Sequence, residues 1–332
     1  MMKAIGIKGG KGPAEALFFD EIPIPVLKPE DALVKVKAFG LNRMDIMQRN
    51  GEYKVPPQAP ETLGVEFSGT VIRIASDSTD FKIGDEVFGL AYGGAYAEYI
   101  AVSTKMLIHK PEDMSWEKAA GIPETWITAN QAMYLIGEFA PGKSILWHAG
   151  ASSVAIAGTQ LSLAEGASKV FSTVGSDEKV KFCVDELGVT AAFNYKKQDW
   201  AQEILKATDG KGVDVIIDLV GASHFQGNIT AAAKDARIVH LGQVSGTILP
   251  EKVDIGPMLW KRIRFEGSTL RSRDVEYQRK LRDLVVEHAM PKFRDGTFKV
   301  IIDKVFSWKD ITAAHKMMES NITQGKLICL VD

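Results

Sequence analysis

The first third of the chain carries short runs of alternating or continuous apolar residues. Residues 33–38 alternate apolar and polar side chains, residues 67–74 are rich in β-branched side chains, and residues 96–102 form a third short run. Such patterns are typical of β-strands. Glycine and proline recur between the runs and mark turns. Short strands separated by such turns predict a compact barrel or sandwich.

From about residue 124 the pattern changes to strands that alternate with helices. An apolar strand at 144–149 leads through a turn of small residues into a helix. In that helix Val154, Ala157 and Leu161 recur at helical spacing, which predicts packing on a sheet. Residues 213–220 are almost uninterruptedly apolar, as in a central strand of a parallel sheet that helices cover on both faces. Further strands are predicted at 169–174, 191–195, 237–242 and 262–266.

This alternation predicts a doubly wound parallel sheet of the Rossmann type. Beyond Gly267 the pattern predicts a helix at 276–287, a strand at 298–306, a helix at 310–318 and a closing strand at 325–330. We therefore expect an α/β protein with an inserted Rossmann domain. The expected domains are residues 125–267 for the Rossmann domain, and residues 1–124 together with 268–332 for a β-rich domain.

The charge balance argues against large polyanionic partners. The chain has 332 residues, 45% of them hydrophobic, and its 40 Lys and Arg residues nearly balance 42 Asp and Glu residues. The net charge of −2 gives no field that would hold nucleic acid or an anionic membrane. No apolar run approaches the roughly 20 residues of a membrane span, and the N-terminus lacks the apolar core of a signal peptide. We expect a cytoplasmic protein.

The cysteines and histidines predict no metal site. The two cysteines, Cys183 and Cys329, lie far apart, whereas a structural zinc site needs four close ligands. The six histidines show no paired spacing. Cys183 shares a predicted helix face with Val180 and Val184, which favours a core residue over a reactive thiol.

The turn after Ala149 is the first candidate for a functional site. In a parallel sheet, ligands bind beyond the carboxyl ends of the strands, where the strand order reverses. Backbone N–H groups at the start of the helix near Ser153 would bind the pyrophosphate of a dinucleotide there. Residues 150–155 do not match GxGxxG, and close packing of strand and helix also explains small residues. The strand and helix alternation around the turn favours the nucleotide site.

The end of the next strand bears on which dinucleotide binds. NAD-specific Rossmann enzymes place a carboxylate there for the ribose 2′-hydroxyl, whereas Val174 offers none. The Ser176 hydroxyl and the Lys179 ammonium suit a 2′-phosphate, with Asp177 and Glu178 pointing outward. The alternative for Lys179 is a solvated helix residue.

Five segments make the whole chain resemble a known family. They are residues 38–45 (AFGLNRMD), 63–69 (LGVEFSG), 82–89 (KIGDEVFG), 148–152 (HAGAS) and 194–197 (NYKK). On these motifs the chain resembles the zinc-free quinone oxidoreductase branch of the medium-chain dehydrogenase/reductase superfamily. The segments 194–197, 270–274 (LRSRD) and 313–319 (AAHKMME) look closest to its tumour-suppressor-inducible members, with zeta-crystallin more distant. The resemblance implies a Rossmann domain inserted into a GroES-like catalytic domain.

The resemblance also implies activity without zinc. Zinc alcohol dehydrogenases of the superfamily carry Cys where Asn42 stands and His where Val65 stands, and neither residue here binds zinc in that way. Nothing between Gly89 and Val102 corresponds to their cysteine-rich structural lobe. Carbonyl chemistry that needs a Lewis acid is therefore disfavoured.

By resemblance, one group of residues surrounds the acceptor and a larger group lines a groove for NADPH. The acceptor residues are Asn42, Asp45, Tyr53 and Tyr92. The cofactor residues are Thr128 near the nicotinamide, Tyr195 at the adenosine end, and Gly150, Ser152, Ser153, Val154, Ser176, Lys179, Gly221, Gly242, Gly325 and Lys326. Relatives commonly have glycine where Ser153 and Ala155 stand. Both replacements are small, so we expect the turn to persist.

Hydride transfer from NADPH to a quinone suits a zinc-free site. The π system of a quinone takes up the developing charge, so the protein supplies orientation and a few hydrogen bonds. We expect Tyr53 to orient the substrate, or to donate a proton if one is needed. The alternative for Tyr53 is a turn residue whose ring packs on Pro56 and Pro57.

Two other functions stay open at this point. A reductase of activated alkenes (enals, enones or enoyl thioesters) uses the same hydride geometry but must deliver a proton to the α-carbon. A crystallin-like protein could instead bind nucleotides as a structural protein or contact RNA, and the net charge and the lack of a basic, aromatic stripe argue against RNA as the main role. The resemblance further implies a homodimer through the edge of the Rossmann sheet, residues 262–267.

Overall fold

The computed structural model describes residues 1–75, 80–249 and 252–332. The chain divides into two compact units. The first unit contains Met1–Ile127 and Arg271–Asp332, and the second unit contains Thr128–Leu270. Each junction lies three residues beyond the expected boundaries at 124 and 267. The first junction lies later than expected because it falls inside a helix, Pro123–Asn130.

The strands, in chain order, are β1 (Met2–Ile7), β2 (Leu17–Ile22), β3 (Asp31–Gly40), β4 (Glu66–Ile74), β5 (Glu86–Leu90), β6 (Tyr99–Ser103), β7 (Leu107–His109), β8 (Ser144–His148), β9 (Lys169–Val174), β10 (Ala191–Asn194), β11 (Val213–Asp218), β12 (Ala232–His240), β13 (Arg264–Gly267), β14 (Ile302–Ser307) and β15 (Lys326–Leu330).

The α-helices are α1 (Arg43–Asn50), α2 (Trp116–Ala120), α3 (Pro123–Asn130), α4 (Ser153–Ala164), α5 (Asp177–Lys181), α6 (Trp200–Ala207), α7 (Phe225–Ala231), α8 (Gly256–Trp260), α9 (Val275–Leu284), α10 (Met290–Arg294) and α11 (Ile311–Glu319). Short 3₁₀ helices cover Ala14–Ala16, Thr104–Met106, Ala222–His224 and Trp308–Asp310, and wider π-helical turns extend α3, α5 and α9 over Gln131–Ile136, Phe182–Glu186 and Val285–Ala289. Within the described ranges, no helix combines the length and the apolar character that crossing a membrane requires.

A six-stranded parallel sheet forms the centre of the second unit. Its order is β10-β9-β8-β11-β12-β13, and each neighbouring pair is parallel. Counted from β8, this is the 3-2-1-4-5-6 order of a Rossmann fold. Leu146, Ile216 and Ile238, on three adjacent strands, are buried in one core cluster, which explains the continuous apolar runs. The predicted doubly wound sheet is confirmed.

A seven-stranded sheet, mostly antiparallel, forms the centre of the first unit. The path is β14-β15-β3-β4-β5-β7, and β6 also pairs with β3. Strand β15 is antiparallel to β3, with Ile328 opposite Gly40, so the C-terminal segment completes the N-terminal sheet. A separate hairpin joins β1 to β2. The β-rich GroES-like part of the predicted fold is confirmed.

Some predicted elements have different ends, for local reasons. The strand expected at 213–220 ends at Asp218, whose carboxylate accepts the N–H groups of Val220 and Gly221 and turns the chain. The strand expected at 298–306 begins at Ile302. Phe298 is 3% exposed and instead packs its ring 4.7 Å from that of Trp126.

Candidate functional site

A buried polar cluster of the first unit lies where β3 ends and β4 and β15 begin. Glu66 opens β4, Lys326 opens β15, and both strands run antiparallel to β3, which Asn42 follows. Lys326 forms an ion pair with Glu66 and donates to Asn42 Oδ1 at 2.7 Å, and Asn42 Nδ2 donates to Glu66 Oε1 at 2.9 Å. A Cβ at Gly40 would collide with Glu66, so a glycine makes room there. Both polar atoms of the Asn42 amide are therefore engaged.

Asp45 lies in the first turn of α1, beside this cluster. Its Oδ2 accepts the Asn42 N–H at 2.8 Å, and its Oδ1 accepts the Gly64 N–H at 3.3 Å. The Tyr96 hydroxyl donates to Oδ2 at 3.3 Å. Burial raises the pKa of Asp45 to about 6, despite the lowering effect of these N–H groups and of nearby cations. Asp45 thus changes charge near neutral pH while it fixes the start of α1.

Hydrogen bonds lead from Asp45 into the interior of the first unit. The Tyr96 hydroxyl lies 3.2 Å from His315 Nε2, and Arg49 Nη1 lies 3.1 Å from His315 Nδ1. A guanidinium only donates, so Nδ1 is the acceptor and Nε2 carries the hydrogen that it donates to Tyr96. Burial, followed by the Arg49 charge, lowers the pKa of His315 to about 3, so the ring stays neutral. This network positions the hydroxyl that contacts Asp45.

Glu124 is a second buried carboxyl of the first unit. It lies in the first turn of α3, and its backbone N–H donates to Glu66 Oε2 at 2.9 Å. Burial, and then the negative charge of Glu66, raise the pKa of Glu124 to about 7, against the lowering effect of Lys326. Two carboxyls of this unit therefore titrate near neutral pH.

Arg271 links the two tyrosines predicted on the acceptor side. Its Nε donates to the Tyr92 carbonyl oxygen at 2.6 Å, and its Cζ lies 5.4 Å from the centre of the Tyr53 ring. Its Nη1 donates to Gln48 Oε1 at 2.7 Å. Burial raises the pKa of both tyrosines, although the Arg271 charge partly lowers that of Tyr53. Both phenols therefore keep their hydrogens at neutral pH.

The positions that correspond to zinc ligands do not form a metal site. The Asn42 amide is engaged by Glu66 and Lys326, and Val65 is buried and offers no donor atom. Across the part of the chain that the structure describes, no group of three or more His, Cys, Asp or Glu side chains is arranged to hold a metal. The residues at positions 42 and 65 therefore do not fit a resident zinc ion.

In the second unit, the predicted phosphate turn follows β8 at the point where the strand order reverses. Strand β9 lies on one side of β8 and β11 on the other. Ser152 caps α4, and its Oγ accepts the Ala155 N–H at 3.3 Å. A Cβ at Gly150 would lie only 2.6 Å from the Cβ of Ser172 on β9. Glycine at position 150 therefore allows the turn to pack against β9.

The two residues that replace the glycines of relatives leave the turn intact. Ala155 is fully buried, so its methyl group faces the core. Ser153 is half-buried at the first position of α4, and Val154 follows it. N–H groups in the first turn of a helix have no acceptor within the helix. The start of α4 therefore fits a phosphate group.

Buried polar side chains lock the strand ends behind this turn. His148, the last residue of β8, lies 2.7 Å from Thr173 Oγ1 through Nδ1 and 2.6 Å from Asn228 Oδ1 through Nε2. Asn228 Nδ2 donates to Asp218 Oδ2 at 3.0 Å. Because the Asn228 carbonyl oxygen only accepts, His148 donates from Nε2 and is neutral, in line with the lowering of its pKa by burial. These bonds fix the ends of β8, β9 and β11.

Three glycines predicted to line the groove have packing reasons of their own. A Cβ at Gly242 would collide with the Leu219 carbonyl oxygen. Gly221 has a φ of +97°, and Gly325, in the first unit, has a φ of +115°. Both values favour glycine. Their roles toward a cofactor stay predictions.

The residues predicted to bind the 2′-phosphate lie at the ends of two adjacent strands. Ser176 follows β9 and caps α5, and its Oγ accepts the Lys179 N–H at 3.3 Å. Tyr195 follows β10 and is exposed. A Cβ at Gly175 would lie 3.0 Å from the Tyr195 hydroxyl, so this phenol lies beside the end of β9. The structure brings Ser176, Lys179 and Tyr195 to one edge of the sheet.

The two acids at the start of α5 have different partners. Asp177 accepts from Asn194 Nδ2 at 2.7 Å and from Lys197 Nζ at 2.5 Å, and Lys197 is the main reason that its pKa lies below the usual range. The pKa of Glu178 is lowered by its own backbone N–H and by the Ser176 hydroxyl. The charge of Asp177 is thus balanced by Lys197. The Glu178 carboxylate instead accepts a hydrogen bond from the Ser176 hydroxyl, whose oxygen also accepts the Lys179 N–H.

Two further residues predicted on the cofactor side lie outside the phosphate turn. Thr128 lies in α3 and is the first residue of the second unit. Lys326 is 2% exposed and is held by Glu66 and Asn42 within the first unit. Their roles toward a cofactor also stay predictions.

Two family models match the chain. "Alcohol dehydrogenase GroES-like domain" matches residues 28–112, and "Zinc-binding dehydrogenase" matches residues 153–287. The quinone oxidoreductase of Coxiella burnetii is 30% identical, with a TM-score of 0.80 over 100% of this chain and 99% of that one. The chain belongs to the quinone oxidoreductase branch of the medium-chain dehydrogenase/reductase superfamily. The family predicted from the motifs is confirmed.

Two further solved structures match the whole chain, and a curated sequence relative matches most of it. The quinone oxidoreductase of Pseudomonas syringae pv. tomato is 28% identical, with a TM-score of 0.88 and full coverage of both chains. A mycobacterial protein solved in complex with NADPH is 25% identical, with a TM-score of 0.87 and full coverage of both. The synaptic vesicle membrane protein VAT-1 homolog of Danio rerio is 29% identical over 92% of this chain, which spans 65% of that relative's length.

Several residues of these clusters were not predicted as functional. Glu66 and Arg271 lie within the motifs that carry the resemblance, and each charge stands next to apolar residues that are buried. A charge between apolar residues at the start of a predicted strand is a signal of a paired, buried group, and it could have identified Glu66. His315 lies in the segment 313–319 that also carries the resemblance, whereas Glu124 carries no local signal, since its burial results from packing against distant segments.

Proposed function

We propose that this member of the quinone oxidoreductase branch reduces quinones by hydride transfer from NADPH and does so without a metal ion. The observation that carries the proposal is the arrangement at Asn42. Glu66 and Lys326 hold its amide in the place where zinc dehydrogenases carry a cysteine ligand. Charge that develops on the acceptor must therefore be met by hydrogen bonds and by the acceptor itself. A quinone meets this requirement, because its conjugated ring delocalises the charge.

We assign cofactor binding to the second unit. The start of α4, with Ser152 and Ser153, fits the pyrophosphate, and the buried methyl group of Ala155 leaves the turn open. Tyr195 and Lys179 fit the adenosine end. When bound, NADPH supplies the hydride to the acceptor.

Three features near the end of β9 support NADPH over NADH, whereas the Glu178 carboxylate opposes it, because it accepts from the Ser176 hydroxyl instead of pointing outward as expected. Val174 offers no carboxylate to a ribose hydroxyl, and Asp177 is neutralised by Lys197. Lys179, three residues after Ser176 in α5, is the cation that we assign to the 2′-phosphate. The mycobacterial relative solved with NADPH supports the same assignment.

The first unit provides the acceptor side. Burial keeps the Tyr53 phenol protonated, so its hydroxyl is available to donate a hydrogen bond to a carbonyl oxygen. Tyr92 is held by a 2.8 Å hydrogen bond from its hydroxyl to the Arg273 carbonyl oxygen. Asp45 holds the backbone N–H of Asn42 and so fixes that residue. One proton from solvent completes the conversion of each quinone to a quinol.

NADPH oxidation measured side by side with an ortho-quinone, a 2-alkenal and an enoyl thioester tests the proposal. We expect the highest kcat/KM with the quinone, and a lower value when NADH replaces NADPH. A higher kcat/KM for the alkenal or the thioester would assign the protein to the reduction of activated alkenes instead. Absence of NADPH oxidation with all three acceptors would overturn the proposal.

A further inference from the structure

A cavity of about 450 Å³ lies in the first unit, between α2 with the turn before it and the end of α10 with the segment after it. The residues that line it come from 111–118 and 293–301, and none of them is assigned to the acceptor or to the cofactor. Sites for small organic ligands usually have volumes of roughly 300–1,000 Å³. The cavity therefore has room for a ligand that the proposed function does not account for.

Apolar side chains line the cavity from both segments. Met114 contributes from the turn before α2, and Phe293, Phe298, Val300 and Ile301 contribute from the second segment. Phe298 is buried, whereas the other four side chains are only half-buried and keep apolar surface that water can reach. A ligand with an apolar body would remove this surface from water, which favours its binding.

Hydrogen bonds outside the cavity hold both segments in place. The Lys110 ammonium donates to the carbonyl oxygens of Pro111 and Met114 at 3.0 and 2.9 Å and so closes the turn before α2. The Ile301 carbonyl oxygen accepts the backbone N–H of Lys326 at 2.9 Å, which ties the second segment to the start of β15. Because its walls are fixed before a ligand arrives, the cavity loses little conformational entropy on binding.

Positive charges predominate among the lining residues. Three cations, Lys118, Arg294 and Lys299, line the cavity together with one carboxylate, Asp113. The lining thus carries an excess of positive charge on a chain whose net charge is −2. Lys118 and Arg294 are exposed, and neither forms an ion pair with any residue that the structure describes. Their charges are therefore available to a negative group in the cavity.

We propose that this cavity binds a small organic carboxylate with an apolar body. The apolar body covers Phe293, Val300 and Ile301, and the carboxylate meets Arg294 and Lys118. A guanidinium can bind both oxygens of a carboxylate through parallel N–H···O bonds. Asp113 disfavours a second negative charge, as on a phosphate ester, and a bare inorganic anion would leave the apolar lining exposed. The inference goes beyond the proposed function and does not depend on it.

Calorimetric titration of the full chain with three probes tests the two parts of the ligand. The probes are 2-naphthoate, the uncharged 2-naphthalenemethanol with the same ring, and acetate, which has the carboxylate but no apolar body. We expect saturable binding of 2-naphthoate, binding of the alcohol that is about fivefold weaker or more, and no saturation with acetate at the same concentrations. Absence of 2-naphthoate binding, or equal Kd values for 2-naphthoate and either other probe, would overturn the proposal.

Arg294→Gln and Lys118→Gln test where the carboxylate binds. Both side chains are exposed, so neither change should disturb folding. We expect each variant to weaken the Kd of 2-naphthoate about threefold or more, a modest effect because solvent screens exposed charges. The matched control is Lys35→Gln, which removes an exposed lysine of β3 that does not line the cavity, and it should bind as wild type. Wild-type affinity in both cavity variants would overturn the proposal.

Met114→Glu, compared with Met114→Gln, tests the cavity by repulsion. The two new side chains have nearly the same shape, and only glutamate adds a negative charge to the lining. We expect 2-naphthoate to bind Met114→Glu about fivefold more weakly, or worse, than Met114→Gln, because like charges a few ångströms apart repel. Equal Kd values in these two variants would contradict a carboxylate in the cavity.

Discussion

Tyr53 experiences two opposing electrostatic effects. Burial raises the pKa of its phenol, whereas the Arg271 charge lowers it, and the effect of burial is larger. The hydroxyl therefore keeps the hydrogen that it needs for a hydrogen bond to a carbonyl oxygen. The ring lies near the guanidinium and stabilises it there, so this side chain combines packing with a polar role.

Tyr53→Phe keeps the ring and removes only the hydroxyl. We expect a reduced kcat with an unchanged Kd for NADPH, because the lost hydrogen bond forms mainly in the transition state. Steady-state kinetics with several quinones and a fluorescence titration with NADPH measure the two quantities. Tyr99→Phe, on β6 of the same unit, is the control. Unchanged kinetics in Tyr53→Phe would assign Tyr53 to packing alone.

Glu124 makes the stability of the protein depend on pH. Burial, and then Glu66, raises its pKa to about 7, so between about pH 4.5 and 7 the folded protein holds a proton that the unfolded chain has released. The stability contributed by the neutral carboxyl is therefore lost as pH rises through 7. Glu124→Gln stays neutral, and we expect it to exceed wild type by about 1–3 kcal/mol in free energy of unfolding at pH 8.

Urea unfolding of wild type and Glu124→Gln at pH 5 and pH 8 measures this difference. We expect the advantage of the variant to shrink at pH 5, where Glu124 in the folded wild type is already protonated. The same difference at both pH values would contradict the role of Glu124.

At the scale of elements, we propose that β9 and α5 together determine cofactor choice. Ser176 caps α5 at the end of β9, which places Lys179 one turn into the helix. Asn194, the last residue of the neighbouring strand β10, binds Asp177. Lys179 is therefore the residue of α5 that we propose to contact the 2′-phosphate.

Lys179→Ala should weaken NADPH and leave NADH almost unchanged. A charge-assisted hydrogen bond is worth about 1.5–3 kcal/mol, which corresponds to a loss of roughly ten- to a hundredfold in affinity. Titration of both cofactors against wild type and variant provides the numbers. Lys181→Ala, an exposed lysine of the same helix, is the matched control. Equal wild-type affinities for the two cofactors, or equal losses in Lys179→Ala, would refute the assignment.

The elements of the second unit could be predicted because their signals are local. Strands β8 and β11 are continuous apolar runs, and Ser152 and Ser176 act as caps at the positions that their residue type favours. Helix α1 escaped prediction. Its buried residues include Asp45 and Arg49, so it lacks a regular apolar stripe and is held by polar contacts with distant segments.

The candidate site could be predicted only in part, for a related reason. Asn42 was identified through a motif, but its partners Glu66 and Lys326 lie far away in sequence. The resemblance gave Lys326 as a residue of the cofactor groove, and nothing in the sequence predicted its ion pair with Glu66. Only the pairing of β3 with β4 and β15 brings these side chains together and buries them.

At the scale of the whole molecule, the edge of the Rossmann sheet is the expected dimer interface. Strand β13 is the outermost strand, and all four of its residues are exposed. Leu259 and Trp260, just before it, are 82% and 62% exposed. An unpaired strand edge beside exposed apolar side chains is suited to pair with a second copy. We therefore propose a homodimer through β13.

Light scattering coupled to size exclusion at micromolar concentration tests the dimer. We expect the wild-type mass to be twice that of one chain and Leu259→Glu to shift it toward the monomer. Val26→Glu, which alters an equally exposed apolar residue of the first unit, should leave the mass unchanged. A monomeric wild type, or a dimeric Leu259→Glu, would contradict this interface.

Reduction of a quinone by NADPH in metal-free protein tests the central claim most directly. The protein is treated exhaustively with a strong chelator, its metal content is measured by mass spectrometry, and kcat and the melting temperature are compared before and after. Because Asn42 is engaged by Glu66 and Lys326 and Val65 has no donor atom, we predict that neither quantity changes. A large loss of either quantity that added zinc restores would contradict the account.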